Sequence, residues 1–148
     1  DSLGIVDLTF QLGQQYGCVL PKISAMELAA EVCGGLQHFV AAGRLTDNGR
    51  LLLQQSLNAY APEQLRVGMP PADVFAETTV LNWASQCYNL FNYLPSTCPG
   101  CGGDHAVMNE RKQVVCSSCH ARLTPRDGDS VSHQLVESFV LENLTEHV

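Results

Sequence analysis

Residues 98–119 begin with Cys98-Pro99-Gly100-Cys101, run through fourteen residues, and end with Cys116-Ser117-Ser118-Cys119. Two Cys-x-x-Cys knuckles at this separation offer four thiolates to one tetrahedral ion, two from each arm of a short hairpin. Gly100, Gly102 and Gly103 allow a tight turn around the first pair. Val107-Met108 and Gln113-Val114-Val115 read as the two strands, with Asn109-Glu110-Arg111-Lys112 as the polar turn. The pattern is that of a zinc ribbon with Cys98, Cys101, Cys116 and Cys119 as ligands. The same spacing admits two disulfides in a secreted protein, or a rubredoxin-like iron site with four thiolates. Two matched pairs favour a metal over redox catalysis by a single Cys-x-x-Cys.

A site closed by four thiolates leaves no coordination position for water or substrate, so the zinc is expected to be structural. His105 and His120 lie close enough in sequence to substitute as ligands, but four cysteines already fill the set. They are read as surface residues or as residues behind the ligands.

Composition bounds the rest. The chain has 148 residues, of which 45% are apolar, enough for a packed core. That length fits one domain, or a helical domain plus the ribbon. No apolar run is long enough to span a bilayer, and no basic segment followed by an apolar one opens the chain as a secretory signal would. The chain does not begin with Met, which is expected of a processed, trimmed or partial product. Of seven cysteines, Cys18, Cys33 and Cys87 fall outside the ribbon within apolar helical patterns and are expected to be free and buried. That usage fits a reducing intracellular compartment, and the expected localisation is cytoplasmic. The net charge is −7, and the ribbon offers only Arg111, Lys112, Arg122 and Arg126 to a phosphate backbone. A nucleic-acid-binding ribbon ordinarily carries a stripe of Lys and Arg, so the charge counts against nucleic acid as a partner.

The first 21 residues read DSLGIVDLTFQLGQQYGCVLP. Leu3, Val6 and Phe10 repeat at helical spacing beside a second stripe of Ile5, Leu8 and Leu12. Gly17 can supply a left-handed stop, and Pro21 bars immediate re-entry into helix. The segment resembles the second helix of an acyl or peptidyl carrier protein at Asp1-Ser2-Leu3, Val6, Asp7, Leu8, Leu12, Tyr16-Gly17 and Leu20-Pro21. It differs at Gln14 and Gln15, where that family commonly has acids. The resemblance implies that Ser2 carries 4′-phosphopantetheine. It also implies a phosphopantetheinyl transferase that attaches the arm, and partner enzymes that use the thioester it bears. A serine at a helix N-terminus suits this, because a phosphodiester there meets unpaired N–H groups and the positive end of the helix dipole. The bland alternative for Ser2 is a helix cap.

Further helices follow. Ser24 with Glu27 has capping-box spacing, and Met26, Ala29, Cys33, Leu36 and Val40 predict one helical face, with Gly34-Gly35 as a kink or close contact. Thr46 or Asp47 starts the next helix, with Leu53 and Leu57 inward. Residues 62–71 read as a linker. A long helix is predicted over 72–94, its inner face Val80, Ala84, Cys87, Phe91 and Leu94, widened by Leu81 and Tyr88. Ser130 or Ser132 opens a last helix with Val136, Phe139, Val140 and Leu144 on its apolar side. The sequence therefore predicts a mainly α protein in three parts. These are a helical domain over 1–95 (1–43 carrier-like), a zinc ribbon over 96–128 and a C-terminal helix over 129–148. No catalytic motif or acid–base pair stands out, so a carrier or adaptor is expected rather than an enzyme. The carrier, bearing acyl or aminoacyl thioesters with the ribbon as a docking module, is the first expectation. A non-catalytic zinc-ribbon scaffold and a nucleic-acid-binding ribbon are the alternatives.

Overall fold

Helices dominate because apolar residues recur at helical spacing between side-chain caps, and the caps fix where each helix starts. In this computed structural model, which describes residues 11–144, a first helix α1 runs through 11–16. Gly17, at φ 76°, ends it as the sequence suggests. α2 is Ala25–Cys33, opened by Ser24, whose hydroxyl accepts from the Glu27 N–H at 3.2 Å. α3 is Asp47–Gln54, opened by Thr46, whose hydroxyl accepts from the Gly49 N–H at 3.1 Å. α4 is Ala72–Glu77 and α5 is Val80–Leu90. α6, Gly128–Asn143, is capped by Asp127, whose carboxylate accepts from the Ser130 N–H at 2.9 Å. The expected cap at Ser130 or Ser132 is thus displaced toward the N-terminus: Asp127 is the residue with an extended backbone and a free acceptor.

Two other expectations need correction. The helix expected to reach Val40 stops at Gly34, which adopts the left-handed conformation at φ 72°. Beyond it the chain forms a small antiparallel hairpin, β1 (Val40–Ala41) with β2 (Arg44–Leu45), and Phe39 becomes fully buried. The helix expected over 72–94 is broken at Thr78-Thr79. Thr78 is extended there, its hydroxyl bonded to the Val74 carbonyl at 2.8 Å, and Thr79 caps α5 by accepting from the Asn82 N–H at 3.3 Å. Threonine hydroxyls compete for backbone partners in this way, and two in succession end one helix and start the next.

The core has several centres. In the first, Val136 and Phe139 of α6 and Leu144 just after it lie with Leu28, Ala29, Phe39 and Leu52, so the C-terminal helix docks on the helical body. In the second, Val131 of α6 meets Cys18, Leu20, Leu57, Cys87 and Leu90. A third gathers Leu45, Leu53, Leu65 and Met69 from the hairpin, α3 and the loop after it. Each fully buried Leu, Val or Phe contributes about 1.5–3 kcal/mol relative to exposure. Asp129 pins the chain that enters α2, accepting from the Lys22 and Ile23 N–H groups at 2.8 and 3.1 Å.

α5 packs a mixed face against this body, with Cys87 and Leu90 buried beside polar residues. Asn82 and Gln86 are buried, whereas Val80, Leu81 and Tyr88 are 83%, 74% and 76% exposed. The face expected to be the inner one is therefore only partly inside. Hydrogen bonding explains the orientation. Asn82 Oδ1 accepts from Gln64 Nε2 at 2.7 Å and from the Thr79 N–H at 2.9 Å, and its Nδ2 donates to the Asn58 carbonyl at 3.0 Å. Gln86 donates to Asn58 Oδ1 at 3.3 Å and Asn89 to the Leu57 carbonyl at 2.8 Å. The irregular segment after α3 leaves carbonyls and amides inside the fold, and they need polar partners.

Candidate metal centre

The ribbon is built on β3 (Ala106–Met108) and β4 (Val114–Cys116), antiparallel, with Met108 opposite Val114 and Ala106 opposite Cys116. Asn109 organises the turn: its Oδ1 accepts from the Arg111 and Gln113 N–H groups, each at 2.9 Å. After the second knuckle the chain doubles back, and Cys116 N–H donates to the Ala121 carbonyl at 2.8 Å and Leu123 N–H to the Val114 carbonyl at 3.0 Å. Leu123 is buried with Cys98 and Cys116, beside Leu94 and Val114. This return segment, which meets β4 through a single bridge between Val115 and Arg122, was not foreseen, because Ala121-Arg122-Leu123 is too short to carry a strand pattern.

The hairpin brings the two knuckles together. The four Sγ atoms of Cys98, Cys101, Cys116 and Cys119 lie within 4.8 Å of one another. Cys98 and Cys119 are separated by 3.7 Å, and Cys101 and Cys116 by 3.5 Å. A tetrahedral ion with metal–sulfur bonds near 2.3 Å sets its sulfurs about 3.8 Å apart. A disulfide would need about 2.05 Å, and all four cysteines are free thiols. The set can therefore hold a zinc ion, with Cys98 and Cys116 on the buried side and Cys101 and Cys119 at the surface.

The surrounding amides favour thiolate. Gly100 N–H donates to Cys98 Sγ and Gly103 N–H to Cys101 Sγ, both at 3.4 Å. Backbone N–H groups of Cys119 and Ser118 lower the Cys116 thiol from 9.0 to about 6, against a smaller opposing effect of burial. At Cys101 the Gly103 N–H pulls downward, but the Cys116 and Cys119 sulfurs and desolvation outweigh it, and the thiol is pushed up to about 11. Four sulfurs this close cannot all ionise without a cation between them. His105 is turned away to Asp104, 2.6 Å from its Oδ1, and the contact holds the Asp104 carboxyl below its usual range. His120 is exposed, and neither histidine belongs to the cluster.

Ser2, the residue to which the carrier resemblance assigns 4′-phosphopantetheine, lies outside the described residues. The ribbon's basic side chains are described, and two are engaged. Arg122 donates to the Gln15 carbonyl at 2.9 Å, and Arg126 donates to Gln134 and Ser130 at 2.6 and 2.8 Å. These contacts, with Arg126 N–H on the Tyr93 carbonyl at 3.2 Å, fasten the ribbon to the helical body. Among the described residues no helix is long and apolar enough to cross a membrane. An open cleft of about 880 Å³ is bordered by the turn after α1, the end of α3 and α5, with Cys18, Leu57, Tyr60, Trp83 and Gln86 on its wall. Sequence reading missed this cleft, since its walls come from segments far apart in the chain. No protein-family model matches the chain, no curated protein matches it, and no solved structure matches it.

Proposed function

We propose that the protein is a non-catalytic, zinc-stapled adaptor whose helical body binds other proteins. The observation that carries this reading is the set of large apolar residues that α5 leaves in solvent. Asn82 and Gln86 are taken inside the fold, and Val80, Leu81 and Tyr88 face solvent. Phe75 at the end of α4 is exposed as well. No Asp, Glu, Lys or Arg occurs between Glu77 and Asp104. Apolar, uncharged surface with an aromatic residue is the composition of a protein–protein contact. The four-cysteine ribbon fits a structural metal that fixes the neighbouring segment and performs no chemistry. The engaged Arg122 and Arg126 reduce the basic surface left for nucleic acid. A cytoplasmic location suits thiolate ligands.

The test is affinity capture with the zinc-loaded full chain in extract of the source cells, comparing wild type, Leu81→Glu with Tyr88→Glu, and Ser2→Ala. The adaptor reading expects a defined partner retained by wild type and Ser2→Ala and lost from the α5 variant. Identical retention by all three overturns it.

The carrier reading keeps a specific support in the Asp1-Ser2-Leu3 to Leu20-Pro21 resemblance, to which the stop at Gly17 adds. In it Ser2 holds 4′-phosphopantetheine, and a phosphopantetheinyl transferase and thioester-using enzymes are the partners. Intact mass after incubation with coenzyme A and such a transferase decides it. Addition that Ser2→Ala abolishes supports the carrier, and no addition to the protein with its natural upstream sequence removes it.

A further inference from the structure

The cleft of about 880 Å³ between the turn after α1, the end of α3 and α5 has the size of a ligand site, since pockets for drug-sized molecules span roughly 300–1,000 Å³. Met26, Leu57, Val74, Phe75 and Trp83 give its wall an apolar character. Most polar groups that border it are already engaged. Tyr60 Oη and Thr78 Oγ1 lie 2.8 Å apart, Ser56 Oγ donates to the Leu53 carbonyl at 2.6 Å, and Gln86 Nε2 donates to Asn58 Oδ1 at 3.3 Å. The other end of the Gln86 amide is different. Gln86 is 5% exposed, and its Oε1 is buried without a hydrogen-bond partner. A buried acceptor left unpaired is costly and rare in a folded protein. From this we propose that the cleft binds a small, uncharged ring molecule carrying one hydroxyl or N–H donor, which bonds to Gln86 Oε1.

The wall sets the class of ligand. Trp83 and Phe75 offer aromatic surface, against which a flat apolar ring packs favourably. Among the described residues Lys22 is the one charged side chain on the border, and it is exposed. An ion taken into the apolar interior of the cleft loses its water without gaining a counter-charge, so a neutral molecule is preferred. The unpaired atom is a carbonyl oxygen, which accepts only, so the ligand must supply the proton. Asn58 Oδ1 holds Gln86 Nε2 and thereby settles which end of the amide is left over. Phe75 also belongs to the exposed apolar surface of the protein contact, but the cleft needs the buried Gln86 and does not depend on that reading.

The experiment titrates the isotope-labelled, zinc-loaded full chain with 2-naphthol and, separately, with 2-methoxynaphthalene, which has the same rings and no donor. Trp83 is the chain's one tryptophan, so its indole N–H signal in heteronuclear NMR reports from the cleft wall. 2-Naphthol is expected to shift that signal and the Gly13 and Gly17 amides saturably. It is expected to bind about tenfold more tightly than the ether, the worth of one hydrogen bond to an otherwise unpaired acceptor. Gln86→Leu is expected to bind the two probes equally, with circular dichroism checking that it is folded. Phe75→Ala, at a residue already 57% exposed, keeps the site testable if Gln86→Leu does not fold. It is expected to weaken both probes alike and to preserve the preference for 2-naphthol. Equal binding of the two probes to wild type, shifts that spare Trp83 or never saturate, or a preference that survives in folded Gln86→Leu would overturn the inference.

Discussion

Replacing Asn82 with Ala tests which way α5 faces. Asn82 is 4% exposed and serves four groups: the Gln64 amide, the Thr79 N–H and hydroxyl, and the Asn58 carbonyl. Truncation removes the side-chain half of the capping box, leaving the Thr79 hydroxyl on the backbone N–H of residue 82, and strands at least two of these groups in the interior. A buried polar group left unpaired costs about 1–3 kcal/mol. Because the partners share one network, these costs overlap, and a loss of about 2–4 kcal/mol is expected. That is a large part of the 5–15 kcal/mol roughly typical of a domain. Leu81→Ser is the companion. A core leucine cut to a small residue would cost about 2–5 kcal/mol, but an exposed one changes stability by roughly 0.5 kcal/mol or less. Urea unfolding of both zinc-loaded variants gives the two midpoints, with the m-value checking that the unfolding reaction is unchanged. An Asn82→Ala protein as stable as wild type, together with a Leu81→Ser protein that loses 2 kcal/mol or more, would show that the helix is rotated and that the reasoning fails.

Removing the metal with a chelator is expected to unfold the ribbon while much helical circular dichroism survives, because β3 and β4 are short and the ribbon's own apolar core is little more than Val115 and Leu123 around the cysteines. Restoring zinc should bring back the lost amide signals in heteronuclear NMR. Asp129→Ala is expected to cost about 1–3 kcal/mol in urea unfolding, because the Lys22 and Ile23 N–H groups lose their acceptor. Tyr60 gives a pH prediction. Burial raises its phenol above the ordinary 10.0, and the bond to Thr78 opposes less strongly. A raised pKa means that the folded state holds the proton longer. The contribution is therefore fully present below pH 10 and is lost as pH rises from there through the folded value. Ultraviolet titration should show one phenol ionising late, and Tyr60→Phe should remove that late step.

How much of this could be read from residues alone varied with the range of the forces involved. Local signals were legible. Ser24 and Thr46 as caps, Gly17 as a stop and the hairpin turn at 109–112 are each settled within a few residues, by one side-chain oxygen or one positive φ. The metal site was legible for a similar reason. Four thiolates at a ribbon spacing have few ways to be satisfied other than together. Much of the inward face of the last helix also came through: of the expected Val136, Phe139, Val140 and Leu144, three are buried and Val140 packs beside them, while Val131 and Ser132 extend the buried side. The orientation of α5 came through only in part: Cys87 is buried as expected, but Val80, Leu81 and Tyr88 are exposed. Its apolar repeat is real, but Gln64, Asn58 and Thr79 bring polar demands from outside the helix that periodicity does not register. The break at Thr78-Thr79 escaped for the same reason, since Tyr60 and Gln64 help to hold it and neither is on either helix.

The amino-acid order alone thus determined that the chain is mainly helical, that a short ribbon interrupts it, and that four particular sulfurs come together where they could hold a metal ion. Those properties follow from spacing, caps and ligand chemistry, all of which act over short stretches. Only the tertiary structure decided which residues of α5 meet solvent, that Cys18 and Cys87 enter one core cluster, and that Arg122 and Arg126 are occupied in fastening the ribbon. These depend on buried hydrogen-bond groups and packed side chains contributed by segments tens of residues apart. Their mutual positions exist only once the chain has closed on itself.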